Sequence, residues 1–236
     1  MSREQKYTAI ILKKQSYKEG DEIITIFTKE GGKIRCLAKG VKKSLSKLQQ
    51  RLQTLFLVDI TLAGGDMPKI IHVEPLKVFS KMRDNLTASK TAFYALELVL
   101  KFTADEQKNE TLFNLLEQFL EFLNSESSDE LLSLGLAKFK IEVLAASGLE
   151  VSSLPAKPAG DKVFFSPGKG GFSSQRFADA LPVSAQSYAM FLYLKQTGFE
   201  ALKIAPETNQ TNELQSLLSL FIEYQLERKI KSEKYL

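Results

Sequence analysis

The first third of the chain alternates short apolar runs with turn signals, which is the pattern of a β-rich domain. The runs are rich in β-branched residues, and glycine-containing segments such as residues 29–32 and 64–66 separate them. Together these runs predict five strands, at residues 8–14, 22–28, 32–38, 55–62 and 70–79.

A leucine-spaced segment lies between the third and fourth predicted strands. Leu45, Leu48 and Leu52 follow helical spacing within residues 39–53, and Ser44 is a candidate N-cap. Five strands with a helix between the third and fourth is the order of an OB-fold, although other small barrels share the strand count. We therefore predict an α+β protein in which residues 1–79 form a five-stranded OB-fold barrel.

After residue 79 the apolar period changes from about two to about 3.6, which indicates helices. Ser127 and Glu130 resemble a capping box before one of these helices. The sequence thus predicts an all-helical domain over residues 80–236. Its helices are expected around residues 94–102, 112–123, 130–148, 184–197 and 213–231.

A segment rich in proline and glycine interrupts this helical pattern at residues 149–183. Its four prolines favour a loop insertion, with one short strand candidate at residues 162–166. The prolines are Pro155, Pro158, Pro167 and Pro182.

Charge separates the two regions further. The net charge is +4, but it is unevenly distributed. Residues 1–79 carry 15 basic and 8 acidic side chains, whereas residues 80–236 carry 17 basic and 20 acidic side chains. A basic region joined to a mildly acidic one suggests that the first region meets a polyanion, whereas a merely solvated lysine-rich surface is the alternative.

The basic residues concentrate in residues 29–51, where eight cations accompany one acid, Glu30. Arg35 is expected on the barrel surface because Cys36 alternates inward with Ile34. Tyr17 is a candidate for base stacking, whereas Phe27 and Phe56 lie in apolar runs that favour the core. We predict that seven of these cations contact nucleic acid: Lys33, Arg35, Lys39, Lys42, Lys43, Lys47 and Arg51.

Catalytic and metal-binding patterns are sparse in this sequence. Cys36 is the single cysteine and His72 the single histidine, which excludes a four-thiolate zinc site. The chain lacks a GxxxxGK[ST] phosphate loop. We expect no catalytic centre, no cofactor and no metal; an enzyme with a site assembled from scattered residues is the other reading.

Several motifs resemble the RecO family of recombination-mediator DNA-repair proteins. They include the turn Tyr17-Lys18-Glu19-Gly20-Asp21, the Thr-Lys-Glu-Gly-Gly-Lys turn at residues 28–33, and Ala-Lys-Gly at residues 38–40. The resemblance continues at residues 93–98 and 109–116 and in the run FIEYQLERKIKS at residues 221–232.

The resemblance implies an N-terminal OB-fold, a C-terminal helical domain, and a protein that binds single- and double-stranded DNA and anneals complementary strands. It also implies partnership with RecR and single-stranded DNA-binding protein in loading the RecA recombinase. Four lysines are candidates for the rim of a groove that binds such a partner protein: Lys138, Lys140, Lys195 and Lys203. We expect a cytoplasmic, nucleoid-associated protein without a membrane segment. The alternative is an RNA-binding OB-fold protein, which would prefer RNA through its 2′-hydroxyl groups.

One family feature is missing. Many members of the family carry two Cys-x-x-Cys pairs around a Gly-Gly turn and bind zinc. Here residues 154–175 keep Gly170-Gly171 but contain no cysteine. We therefore expect the loop to be held by packing alone, around Phe164, Phe165 and Phe172.

Overall fold

A computed structural model of the chain describes residues 4–42, 47–126, 128–154, 162–203 and 208–236. Its first five strands close into a barrel in the order β1-β2-β3-β5-β4, with β1 antiparallel to both β2 and β4 and β3 parallel to β5. The predicted OB-fold is confirmed. The elements are β1 (Glu4–Tyr17), β2 (Asp21–Thr28), β3 (Gly32–Ala38), α1 (Lys47–Arg51), β4 (Leu57–Ala63) and β5 (Lys69–Lys77).

The barrel core follows from the two-residue period of its strands. Ile24 and Ile26 of β2 point inward, as do Ile34, Cys36 and Ala38 of β3. The expected inward position of Cys36 is confirmed. The residues that alternate with these inward-facing side chains face outward.

A β-bulge in β1 separates a buried outward-facing residue from an exposed one. Ile11 pairs with Ile26, but Lys13 pairs with Thr25, so Leu12 is the extra residue. Leu12 is buried and Lys13 is exposed.

The helical region confirms the helices predicted from the 3.6-residue period. Side chains of Asn85, Asn109 and Ser184 cap three of the helices. Ser128 caps α4, not Ser127 as the sequence suggested, and Ser127 lies outside the described residues. The helices are α2 (Leu86–Phe102), α3 (Glu110–Ser125), α4 (Asp129–Ala146), α5 (Ala185–Gln196) and α6 (Thr208–Leu226).

The proline-rich segment is more ordered than a loop insertion in the parts that the structure describes, residues 149–154 and 162–183. It contains β6 (Val163–Ser166), β7 (Gly171–Ser173) and β8 (Leu181–Val183), which form a sheet in the order β7-β6-β8. The strand candidate at residues 162–166 is confirmed. The prediction of an all-helical domain over residues 80–236 is corrected, because these strands form a sheet within it. β7 and β8 could not be predicted from the sequence because strands of three residues are too short to give an alternating pattern.

One end of the barrel packs directly onto the helices. Ile10, Leu12 and Phe27 point out of the barrel but are buried in the same apolar cluster as the helical core. The Phe27 ring lies 5.9 Å from the Phe113 ring of α3. This contact leaves the other end of β1, β2 and β3 uncovered by the helices. None of the helices in the described residues is long and apolar enough to span a membrane.

Candidate nucleic-acid interface

The uncovered outer surface of β1, β2 and β3 brings together residues that are far apart in sequence. One row across the strands contains Lys13, Thr25 and Arg35, which pair in register. The next row contains Gln15, Ile23 and Leu37, followed by Lys69 of β5, which pairs with Leu37 in parallel register. A third row begins with Tyr17 opposite Asp21, next to Lys39 at the end of β3.

Four cations on this surface are free to meet a ligand. They are exposed, and within the part of the chain that the structure describes none of them has an ion-pair or hydrogen-bond partner. The acid nearest to them in register, Asp21, accepts a hydrogen bond from the Gly40 amide at 2.7 Å. We call this surface the basic face and define it by Lys13, Arg35, Lys39 and Lys69, with Tyr17 at its edge.

The basic face also offers apolar and aromatic contacts. Tyr17 is 36% exposed and the Lys18 ammonium lies 5.3 Å from its ring centroid, so a stacking base would use the ring face opposite Lys18. Leu37 is partly exposed between the cations on this side of the sheet, whereas Ile23 beside it is buried. Phe27 and Phe56 are buried, which confirms the prediction that these two rings belong to the core.

Lys33 lies on the same side of β3 as Arg35 but is already engaged. Its ammonium donates to the carbonyl oxygens of Leu100 at 3.1 Å and Thr103 at 2.6 Å, and pairs with Asp105 at 3.3 Å. These carbonyls are at the C-terminal end of α2, where a cation is favourable. The Lys33 carbonyl also accepts from the Glu106 amide at 2.9 Å. Lys33 therefore joins the barrel to the helices and is not part of the basic face.

The other predicted cations differ in placement. Arg51 bonds to the Val73 carbonyl at 3.1 Å and to the Glu74 carboxylate at 2.6 Å, which fixes α1 against β5. Lys42 is exposed at the mouth of the barrel and donates to the Ser16 hydroxyl at 2.6 Å. Lys43 lies outside the described residues, and the side chain of Lys47 does too.

Lys13 and Lys69 could not be assigned to this surface from the sequence. The bulge at Leu12 displaces Lys13 from simple alternation, so its side could not be assigned without the pairing of β1 with β2. Lys69 joins the face only through the parallel pairing of β5 with β3. The predicted position of Arg35 on the barrel surface is confirmed.

The residues considered for chemistry do not form a catalytic group. Cys36 is buried, and burial raises the pKa of its thiol to about 12, which keeps it protonated and unreactive at neutral pH. His72 is exposed on β5. In the described ranges, no group of three or more His, Cys, Asp or Glu side chains is placed to hold a metal ion.

Two of the lysines suggested for a partner groove are buried in the helical region. Lys138 pairs with Glu142 and donates to the Leu194 carbonyl at 3.3 Å. Lys140 is 1% exposed and donates to the Ser219 hydroxyl at 2.7 Å. Neither forms an exposed rim, so that interpretation is corrected for both.

The composition of the basic face suits a nucleic-acid strand. Arg35 and Lys39 are four residues apart, which is about 14 Å in an extended chain, so the two cations can contact different phosphates of one bound strand. Cations can neutralise phosphates while Tyr17 and Leu37 contact bases, without hydrogen-bond readout of the base sequence.

Comparison with known proteins identifies similar chains. The family described as Recombination protein O N terminal matches residues 1–79, and Recombination protein O C terminal matches residues 83–234. A protein named DNA repair protein RecO from Dehalococcoides mccartyi is 31% identical, with 96% of this chain and 92% of the relative covered. Proteins of the same name from Anaeromyxobacter dehalogenans and Clostridium novyi are 27% and 26% identical, covering 98% and 96% of this chain and 95% and 91% of their own lengths.

Proposed function

Because the chain belongs to the RecO family of DNA repair proteins, we propose that it is a recombination mediator that binds DNA and anneals complementary strands. The observation that carries this proposal is the basic face, whose four exposed cations lack partners within the described ranges and lie beside an exposed tyrosine. Such a surface binds a strand mainly through its phosphates and is tolerant of sequence.

The mechanism is charge neutralisation. Complementary strands repel each other through their phosphates, and each phosphate paired with a cation lowers that repulsion. A strand lying on the basic face has its backbone neutralised, and bases that are not held by Tyr17 remain available for pairing. Binding and annealing should both weaken as the salt concentration rises. The protein's cations displace counterions from the DNA, and the release of those counterions is less favourable at high salt.

We also propose that the protein has no catalytic centre and requires no cofactor. Its role would be to present DNA to other proteins: RecR, single-stranded DNA-binding protein and, indirectly, RecA. These partners follow from the family resemblance, as do binding of both single- and double-stranded DNA and location at the nucleoid in the cytoplasm.

The test is annealing of two complementary DNA oligonucleotides, followed over a salt titration. The basic-face variant replaces Lys13, Arg35, Lys39 and Lys69 with alanine. We expect the wild-type chain to accelerate annealing and this variant to lose most of the acceleration while its thermal unfolding is unchanged.

A matched variant controls for net charge. It removes three lysines and one arginine that are exposed in the helical region, and it should anneal like the wild-type chain. These residues are Lys162, Lys203, Arg228 and Lys229. Equal loss in both variants would contradict the assignment of the basic face. A clear preference for RNA oligonucleotides over DNA would instead favour the RNA-binding alternative.

A further inference from the structure

The hairpin formed by β6 and β7 contains the Gly-Gly turn at which the family resemblance implies a zinc site. Phe165 and Phe172 face each other across the hairpin with ring centroids 5.0 Å apart. Both rings are buried, and Phe172 also lies 4.6 Å from the Phe191 ring of α5. The underside of the hairpin is therefore anchored by aromatic packing, as the sequence suggested.

Packing is not the only interaction that holds the hairpin, because one carboxylate forms hydrogen bonds with the turn at its tip. Asp179 accepts from the Ser166 hydroxyl through one oxygen at 2.7 Å and from the Gly168 amide through the other at 2.8 Å. The Ser166 hydroxyl oxygen accepts in turn from the Lys169 amide at 3.2 Å. These hydrogen bonds hold the pKa of Asp179 below its usual value.

A second restraint ties the hairpin to the chain that precedes it. The Ser152 amide donates to the Gly170 carbonyl at 2.9 Å, and the Phe172 amide donates to the Ser152 carbonyl at 3.0 Å. Gly171 has a φ of +145°, and a Cβ there would lie 2.6 Å from the Ser152 nitrogen. Glycine is required at residue 171 by this backbone contact, without any metal ligand nearby.

The donor set of the whole chain does not fit a structural zinc site. Such sites use four thiolate or imidazole ligands. The sequence contains one cysteine and one histidine. Cys36 is inside the barrel, where its thiol lies 3.4 Å from the Ile24 carbonyl oxygen, and His72 is on β5. Neither residue belongs to the hairpin or its neighbours.

We infer that Asp179 and the backbone bridge at Ser152 hold this hairpin in place of a metal ion, so the protein folds and acts independently of zinc. A carboxylate with both oxygens bonded to the turn restrains the same short loop that ligands on either side of a metal would restrain. The inference concerns the helical region and does not rest on the proposed function of the basic face.

The first measurement is metal content and thermal stability of the full chain. Protein purified without chelator should hold far less than one zinc per chain, and its melting temperature should not change with excess EDTA or zinc chloride. Stoichiometric zinc, or a lower melting temperature in EDTA, would overturn the inference.

The second measurement is hydrogen exchange of peptides covering residues 163–173. Asp179→Ala should exchange roughly fivefold faster there, since it removes the acceptor of the Gly168 amide. Asp179→Asn retains one carbonyl oxygen and should fall between Asp179→Ala and wild type. Asp66→Ala, which removes an exposed acid in the turn between β4 and β5, is the control and should leave the hairpin unchanged. Unchanged exchange in Asp179→Ala would overturn the role of the carboxylate.

Discussion

The two ends of the outer barrel surface are built by the same strands but meet different surroundings. Lys33 and Arg35 are two residues apart on β3 and face the same way, yet Lys33 is held by α2 and Arg35 is exposed. On β1 the change occurs at the bulge, where Leu12 is buried against the helices and the following Lys13 is exposed. Alternation along a strand fixes the side on which a residue lies; the docked helices decide whether it can meet a ligand.

This difference assigns opposite roles to neighbouring cations. A lysine whose ammonium satisfies helix carbonyls stabilises the junction between barrel and helices. A cation without a partner contributes little to folding and remains available for phosphates. Substitutions at the two ends should therefore separate stability from DNA binding.

The largest effect is expected at the exposed end. The basic-face variant should bind single-stranded DNA about 100-fold more weakly at moderate salt, because four phosphate contacts are lost. The slope of log affinity against log salt should become shallower by about 3, at roughly 0.7 per contact. Fluorescence anisotropy of a labelled oligonucleotide measures both quantities, and an unchanged slope would contradict direct phosphate contact.

At the docked end, Lys33→Met should lower the free energy of unfolding by about 2 kcal/mol, because it removes hydrogen bonds from a charged donor to two helix carbonyls. Its affinity for single-stranded DNA should remain within about twofold of wild type, since the Lys33 ammonium is already engaged by the Leu100 and Thr103 carbonyls. Urea denaturation measures the first and anisotropy the second. A folded Lys33→Met protein that binds DNA as poorly as the basic-face variant would place Lys33 on the interface after all.

Lys140 extends the comparison to a cation buried within the helical region. Burial lowers its pKa from 10.5 to about 8, against the opposing effect of Glu233. Between these two values the unfolded chain binds more protons than the folded chain, so stability rises with pH. The free energy of unfolding of wild type, relative to that of Lys140→Met, should therefore increase by on the order of 2 kcal/mol as pH rises from about 7.5 to about 10.

Chemical denaturation at each pH measures this difference, and subtraction of the variant removes the titration of groups common to both proteins. The exposed Lys203 provides the control, because Lys203→Met should follow the wild-type pH dependence. A constant difference between wild type and Lys140→Met would show that the buried amine keeps its proton throughout.

The smallest effect concerns the aromatic edge of the basic face. Tyr17→Leu should weaken binding of single-stranded DNA by about fivefold, or ~1 kcal/mol, because a stacked base loses its aromatic partner. Duplex binding should change little, since paired bases do not reach the ring. Tyr235→Leu, at another exposed tyrosine, should affect neither ligand. Equal loss for both ligands in Tyr17→Leu would indicate that the ring packs against the backbone instead.

Local sequence patterns were sufficient for most of the fold. β-branched runs with glycine turns located the barrel strands, and the 3.6-residue period located the long helices, because each signal is repeated over many residues. The sheet of β6, β7 and β8 was only partly predictable. β7 and β8 have three residues each, and their pairing depends on contacts such as Phe165 with Phe172.

The candidate site was predictable only where alternation alone decides the outcome. Arg35 could be placed outward from the inward neighbours Ile34 and Cys36. The engagement of Lys33 by α2 joins residues about seventy positions apart, and Lys69 reaches the face through a non-local strand pairing. Such contacts leave no local signal in one sequence.

The most direct test of the basic face is photo-cross-linking of an oligonucleotide that carries a photoreactive base, followed by peptide mapping. We expect cross-links to Tyr17 and to peptides spanning residues 13–17 and 35–39, which decrease with added salt and disappear in the basic-face variant. Cross-links confined to α2–α6, and unaffected by that variant, would show that DNA binds to the helical region and not to the basic face.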